Sequence, residues 1–290
     1  EWLINLKENL PQFLLSLEKD KFTYFPVKSG ATKAGKKLDL GFSCYAMKLY
    51  FTTGLWEEEE VEKRDEWVNF LNSFQVDSKE FPKNSFIDRN YLSAYQKFSI
   101  KKKSKNLLKK ILNNLFNKNY MLDDNKLQNY IKAETKQAIA TLHQAGYKNK
   151  KTYHSSLNGY KNEKEYLESL DWSKPWDAGA QFSALCVFAS INPKDNEERK
   201  NIIKELSNFI NSITDAETGA YFRGDTPDEK ELINGSMKVI TGLDWIGETI
   251  LYPEKLIDTC LKVEPYDEGC DLVDLVYVLY MCSRDNEYKT

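Results

Sequence analysis

Apolar residues fall along this chain in two alternating kinds of segment. One kind is amphipathic, with apolar positions three and four apart and charges between them, as in "EEEEVEKRDEWVNFLNSF" and "NEERKNIIKELSNFINSI". That spacing lines one helical face with apolar side chains and leaves the other to water. The second kind is more apolar and richer in small residues: "DLGFSCYAMKLYF", "DRNYLSAYQKFSI", "ETKQAIATLHQA", "DAGAQFSALCVFASI", "NGSMKVITGLDWIG" and "DLVDLVYVLYMC". Helices of this composition belong inside, behind a layer of the first kind.

The amphipathic segments close on a similar five-residue phrase: "FLLSL" (13–17), "FLNSF" (70–74), "ILNNL" (111–115), "YLESL" (166–170), "FINSI" (209–213) and "LIDTC" (256–260). Positions one, two and five are apolar, and position four is Ser16, Ser73, Asn114, Ser169, Ser212 or Thr259, recurring at intervals of 57, 41, 55, 43 and 47 residues. A repeat of that length is a helical hairpin. Six hairpins, each an outer helix followed by an inner one, predict an all-α (α/α)6 toroid spanning residues 1–290 as a single domain, itself a candidate module of a larger protein. No strand is expected, because period-two β-branched runs and βαβ alternation are absent. The pattern is weakest at the third hairpin, where loop 117–133 has partial helical character, and at the linker 146–162.

The composite "FLLSLEKDKFTYFP…DLGFSCYAMKLYF" resembles the repeat of the terpenoid cyclase and protein prenyltransferase toroids, in which an outer helix ends in such a phrase, a Gly/aromatic turn follows, and an inner helix begins at an acid. "DAETGAYFRGD" (215–225) is similar to that turn. The resemblance implies the fold over nearly the whole chain. Its chemistry does not carry over, because the chain has no DxDD string and no Asp, Cys and His set with zinc spacing; the nearest aspartate pair, in "MLDDNK" (121–126), lies among lysines. A terpenoid-cyclase relative with an altered acid stays as an alternative. "WDAGAQFSAL" (176–185) and "ELINGSMKVITGL" (231–243) resemble inner-helix segments of carbohydrate-acting toroids such as uronate epimerases and polysaccharide lyases. That likeness implies a sugar site on the fourth and fifth repeats.

In a toroid the inner-helix starts converge on one rim, so Asp39, Asp88, Glu134, Asp177, Asn234 and Asp271 are expected to form a ring. Helix capping explains such acids and amides by itself, since their side chains accept orphan backbone N–H bonds. Beyond capping, Trp172 and Trp176 flank a turn before Asp177, and Tyr221, Phe222 and Arg223 fill the next turn. An exposed aromatic face beside acids and an Arg suits a sugar; as the simpler alternative, the tryptophans plug the hairpin ends. For proton abstraction next to a uronate carboxylate, Tyr221 is the candidate base, with Arg223, Asn234 and Lys238 neutralising charge. His154 is an alternative base, or a solvent-exposed loop residue. Gln181 completes the ligand-binding set, and Asp177 with Asp271 or Asp274 is a candidate carboxylate pair for glycoside hydrolysis. Asp244 and Trp245, at the end of the fifth inner helix, are expected at the opposite rim.

Charge adds one asymmetry. The net charge is −3, yet residues 97–151 hold fourteen lysines against three acids, which leaves that segment at +11 and the remainder at −14. Such a segment is either a pair of solvated helix faces or a surface for an anionic partner such as a membrane or an acidic glycan. Aromatics do not interleave with the lysines, which argues against nucleic acid. Five cysteines, an odd number without a CxxC pair, point to reduced thiols and a cytoplasmic setting. With two histidines, no metal site is expected, and no cofactor motif is present. The longest apolar run, Phe182 to Ile191, is about half of a membrane span, so no transmembrane segment is expected, nor is a signal peptide at "EWLINLKENL". The rival to a carbohydrate-binding domain or enzyme is a non-catalytic helical scaffold.

Overall fold

The computed structural model describes residues 2–96, 107–109, 111, 112, 115, 123–155, 157, 159–191, 195–264 and 269–284. The chain divides into two compact units, Glu1–His154 and Ser155–Thr290, with the boundary inside the linker 146–162. Both are predominantly helical. Among the described residues, no helix is long and apolar enough to cross a membrane.

In the first unit, α1 (Trp2–Leu15) leads into a short antiparallel pair, β1 (Glu18–Asp20) and β2 (Thr23–Tyr24), and then α2 (Leu40–Thr52). α3 (Val61–Asn72) is followed by β3 (Gln75–Val76), β4 (Ser85–Phe86) and α4 (Arg89–Gln96), and α5 (Asp123–Gln144) packs on α2 and β4. Trp67 centres this core: Phe22 stacks on it at 5.1 Å, Tyr50 and Trp56 meet it edge-on, and its indole N–H donates to Ser43 Oγ at 2.9 Å.

In the second unit, α6 (Glu163–Glu168), α8 (Asn196–Ser212) and α10 (Pro253–Cys260) alternate with α7 (Pro175–Ile191), α9 (Glu229–Ile246) and α11 (Gly269–Ser283). The last three form one layer, α9 packing on both α7 and α11, while α6 and α8 pack on α7 and α10 packs on α11. Of this layer, expected inside, all but a few side chains of α7 are covered, whereas α11 leaves Leu272, Val273, Val276 and Tyr280 exposed.

The five-residue phrase has a structural role. Ser16, Ser73, Ser169 and Ser212 each donate their hydroxyl to the carbonyl of the phrase's first residue, Phe13, Phe70, Tyr166 and Phe209, at 2.6 Å in every case. That bond adds a donor to a carbonyl in the last turn of the ending helix, where those of Phe70 and Tyr166 also accept the backbone N–H of Ser73 and Ser169 at 3.1 Å. Thr259 bonds the Lys255 carbonyl at 3.0 Å and that of Thr218 at 2.9 Å. Asn114 lies outside the described residues. After three of the phrases the chain reverses at once, the fifth-position carbonyls of Leu17, Phe74 and Ile213 accepting from Phe25, Ile87 and Phe222 N–H at 2.7, 2.9 and 3.3 Å.

These reversals correct the expectation of no strands. They carry the β1–β2 and β3–β4 pairs and an isolated bridge between Thr214 and Tyr221. Elements of two or three residues are too short to show a period-two pattern. Within loop 117–133 the expected helical character is present from Asp123, where α5 begins, and it corrects the placing of Glu134 at the start of an inner helix: Glu134 stands in mid-helix.

Candidate functional site

Two glycines decide what meets what in the second unit. At the crossing of α7 and α9, a Cβ on Gly235 would stand 2.6 Å from Pro175 Cβ, and one on Gly179 would stand 3.1 Å from the Gly235 carbonyl oxygen and from Lys238 Cβ. Backbones this close bring the first turns of both helices together. The Trp176 N–H donates to Glu231 Oε1 at 2.9 Å, so a side chain of α9 occupies a backbone donor in the first turn of α7. The indole of Trp176 is left 43% exposed, next to the exposed Asp177.

From α9 a polar line runs to α11. Asn234, which is buried, donates from Nδ2 to Asp271 Oδ1 at 2.9 Å, and Lys230 Nζ stands 2.6 Å from Asp271 Oδ2. The Lys230 and Asn234 hydrogen bonds hold the Asp271 carboxyl below its ordinary range. One turn further along α11, Asp274 is buried; desolvation raises its pKa, and the Lys238 ammonium opposes that shift. Lys230, Asn234 and Lys238 are four residues apart on one helical face. The same spacing in "KELINGSMK" was the signal for Lys230, which sequence reasoning missed along with Glu231. The notch between Lys230, Asn234 and Asp271 holds only about 10 Å³, room for one water, so any larger ligand lies across the rim rather than inside it.

Other expected site residues are placed differently. Trp172 is buried rather than exposed: its indole N–H donates to the Leu167 carbonyl at 2.8 Å and its ring lies 5.5 Å from that of Phe209. It plugs the hairpin end. Arg223 is exposed, its guanidinium 5.2 Å above the Phe209 ring and its N–H bonded to the Trp172 carbonyl at 3.2 Å. Tyr221, the candidate base, is 1% exposed, and its hydroxyl has no hydrogen-bond partner among the described residues. Burial, aided by the nearby Cys282 thiol, pushes that phenol far above its ordinary pKa. A buried, protonated phenol cannot take a proton from a ligand on the surface. Gln181 is buried and accepts the Tyr166 hydroxyl at 3.0 Å.

Asp39, Asp88 and Glu134 belong to the first unit. Asp39 stands at the N-cap position of α2 without capping it; its carboxylate pairs with Lys19 at 2.6 Å. The cap comes from Asp88, whose Oδ2 accepts the Asp39 and Leu40 N–H groups at 2.7 and 3.2 Å while Oδ1 accepts that of Asn90 at 2.9 Å. Glu134 Oε1 lies against the first turn of α2, 3.3 Å from where a Gly41 Cβ would be. In the second unit the capping side chains are Asn162, Asp195 and Asp228; Asp177 and Asp271 lie in first turns, and Asn234 lies further in, five residues beyond the start of its helix.

The chain matches no protein-family model, no curated protein and no solved structure. His154 is exposed, with its N–H on the Lys83 carbonyl. Of the lysine-rich segment 97–151, residues 97–106, 110, 113, 114 and 116–122 lie outside the described residues; further along, Lys132 is buried rather than solvated. No group of three His, Cys, Asp or Glu side chains converges as a metal site among the described residues, and no disulfide links any of the five cysteines.

Proposed function

We propose that the chain is an α/α-repeat protein of the toroid kind, an (α/α)6 arrangement, and that residues 155–290 bind a carbohydrate across the rim where α7, α9 and α11 begin. The carrying observation is the exposed indole of Trp176, tied through its own backbone to Glu231 and flanked by Asp177. An aromatic face takes the C–H face of a pyranose, and the adjoining carboxylate and ammonium groups fix its hydroxyls. Lys238 and Arg223 are the groups available to a uronate carboxylate, so an acidic sugar or surface polysaccharide is the preferred ligand class. Because the expected base is buried, this reading is one of binding. A reduced, cytoplasmic setting is part of it, on the strength of the scattered thiols.

Titration calorimetry with glucuronate, oligogalacturonate and neutral gluco-oligosaccharides tests it. Saturable binding of an acidic saccharide that Trp176→Ala abolishes supports the rim site. Binding unchanged in that variant, or none with any saccharide, overturns it.

One observation favours the scaffold reading. Leu272, Val273, Val276 and Tyr280 form an exposed stripe along α11, at positions that share one helical face. If no saccharide binds, that face is where a partner search begins.

A further inference from the structure

At the other end of α9, ten residues beyond Asn234, the second unit holds a cleft of about 370 Å³, within the size range of small-molecule sites. Its apolar lining comes from Ile240, Leu243, Ile250, Pro253 and Met281. Two helices end here. α9 stops at Ile246 with Gly247 in the left-handed conformation at φ 73°, and α11 stops at Ser283. Helix C-termini carry partial negative charge, and the exposed carboxylates of Asp244 and Glu248 add to it.

The chain already places one cation in this field. Arg284 Nη1 donates to Asp244 Oδ1 at 3.3 Å and stands 3.7 Å from Met281 Sδ. Both side chains are nearly half exposed and the contact is long, so the pair is weakly held in water and open to a competitor. Glu248 has no ion pair among the described residues.

We propose that this cleft is a binding site for an organic amine with an apolar body. The body covers Leu243, Ile250 and Met281, and the ammonium group takes the place of the Arg284 guanidinium on Asp244 while also meeting Glu248. Apolar floor, carboxylate rim and helix C-termini together select positive charge: a neutral or anionic ligand of the same shape gains the apolar contact and loses or reverses the electrostatic one.

The test is titration calorimetry of the full chain with phenethylamine, phenethyl alcohol and phenylpropionate. Phenethylamine is expected to bind saturably, about ten-fold or more tighter than the alcohol, with phenylpropionate weakest. Asp244→Asn combined with Glu248→Gln should remove the preference for the amine, and Arg284→Ala should strengthen amine binding by freeing Asp244. Melting curves establish that each variant is folded. No binding of phenethylamine, equal binding of all three compounds, or an amine preference that survives the double substitution overturns the proposal. Because Trp176 lies at the other end of the helix layer, Trp176→Ala is expected to leave amine binding unchanged.

Discussion

Gly179 of α7 faces Gly235 of α9 across a helix crossing with no room for a side chain, a Cβ at 235 standing 2.8 Å from the Pro175 backbone carbonyl carbon. Gly235→Ala should therefore force the helices apart and destabilise residues 155–290 by about 1–3 kcal/mol, the usual cost of overpacking. Urea unfolding measures it. Gly224→Ala is a poor control because its φ is +88°, so Ala180→Ser, on the same helix as Gly179, serves better.

Trp172 and Trp176 are four residues apart and should behave oppositely. Trp172 is 1% exposed and hydrogen-bonded, so Trp172→Ala is expected to cost about 3–5 kcal/mol. Trp176→Ala should shift the melting temperature little while abolishing saccharide binding. Thermal melts with and without ligand separate the two effects.

Tyr221 offers a test of whether its hydroxyl has any role. The group is buried without a partner, so Tyr221→Phe removes an unsatisfied polar atom and should stabilise the protein by about 1–3 kcal/mol. Saccharide binding should not change. A loss of stability in this variant would mean that the hydroxyl has a partner after all.

Glu134 predicts a pH dependence. Burial first, and then the Asp88 carboxylate, pushes its pKa up to about 7, against the opposing hydrogen bond from Tyr130. The folded protein thus holds this proton more tightly than the unfolded chain, whose carboxyl titrates near the ordinary 4.5. The stability so gained is full below about pH 4.5, falls as pH rises to about 7 and is gone above it; the total is on the order of 3 kcal/mol. Glu134→Gln should reduce the slope of stability across that window in urea titrations at fixed ionic strength. Lys132 acts elsewhere: burial lowers its pKa to about 8, so its contribution grows as pH rises from about 8 towards its ordinary 10.5. Because burial also raises the Asp274 and Glu163 carboxyls, part of the slope persists in the variant; a slope left unchanged by Glu134→Gln would refute the assignment.

What the sequence determined alone was the alternation of helices and where they stop. A stripe of apolar residues at helical spacing is local information, and five of the six phrases close helices through a hydroxyl bond to a carbonyl three or four residues back. Reversals after those helices were missed as strands because two-residue ladders leave no periodicity. Tertiary structure alone decided which polar and aromatic groups stay at the surface. Asp39 sits where a capping residue belongs, yet α2 is capped by Asp88, 49 residues further along the chain. Trp172 and Trp176 carry the same side chain in the same turn region, and only the positions of Leu167, Phe209 and Glu231 make one a plug and leave the other open. Tyr221 reads as a surface turn residue and lies in the core. Burial and pairing of this kind are set by segments far apart in sequence, where no local pattern records them.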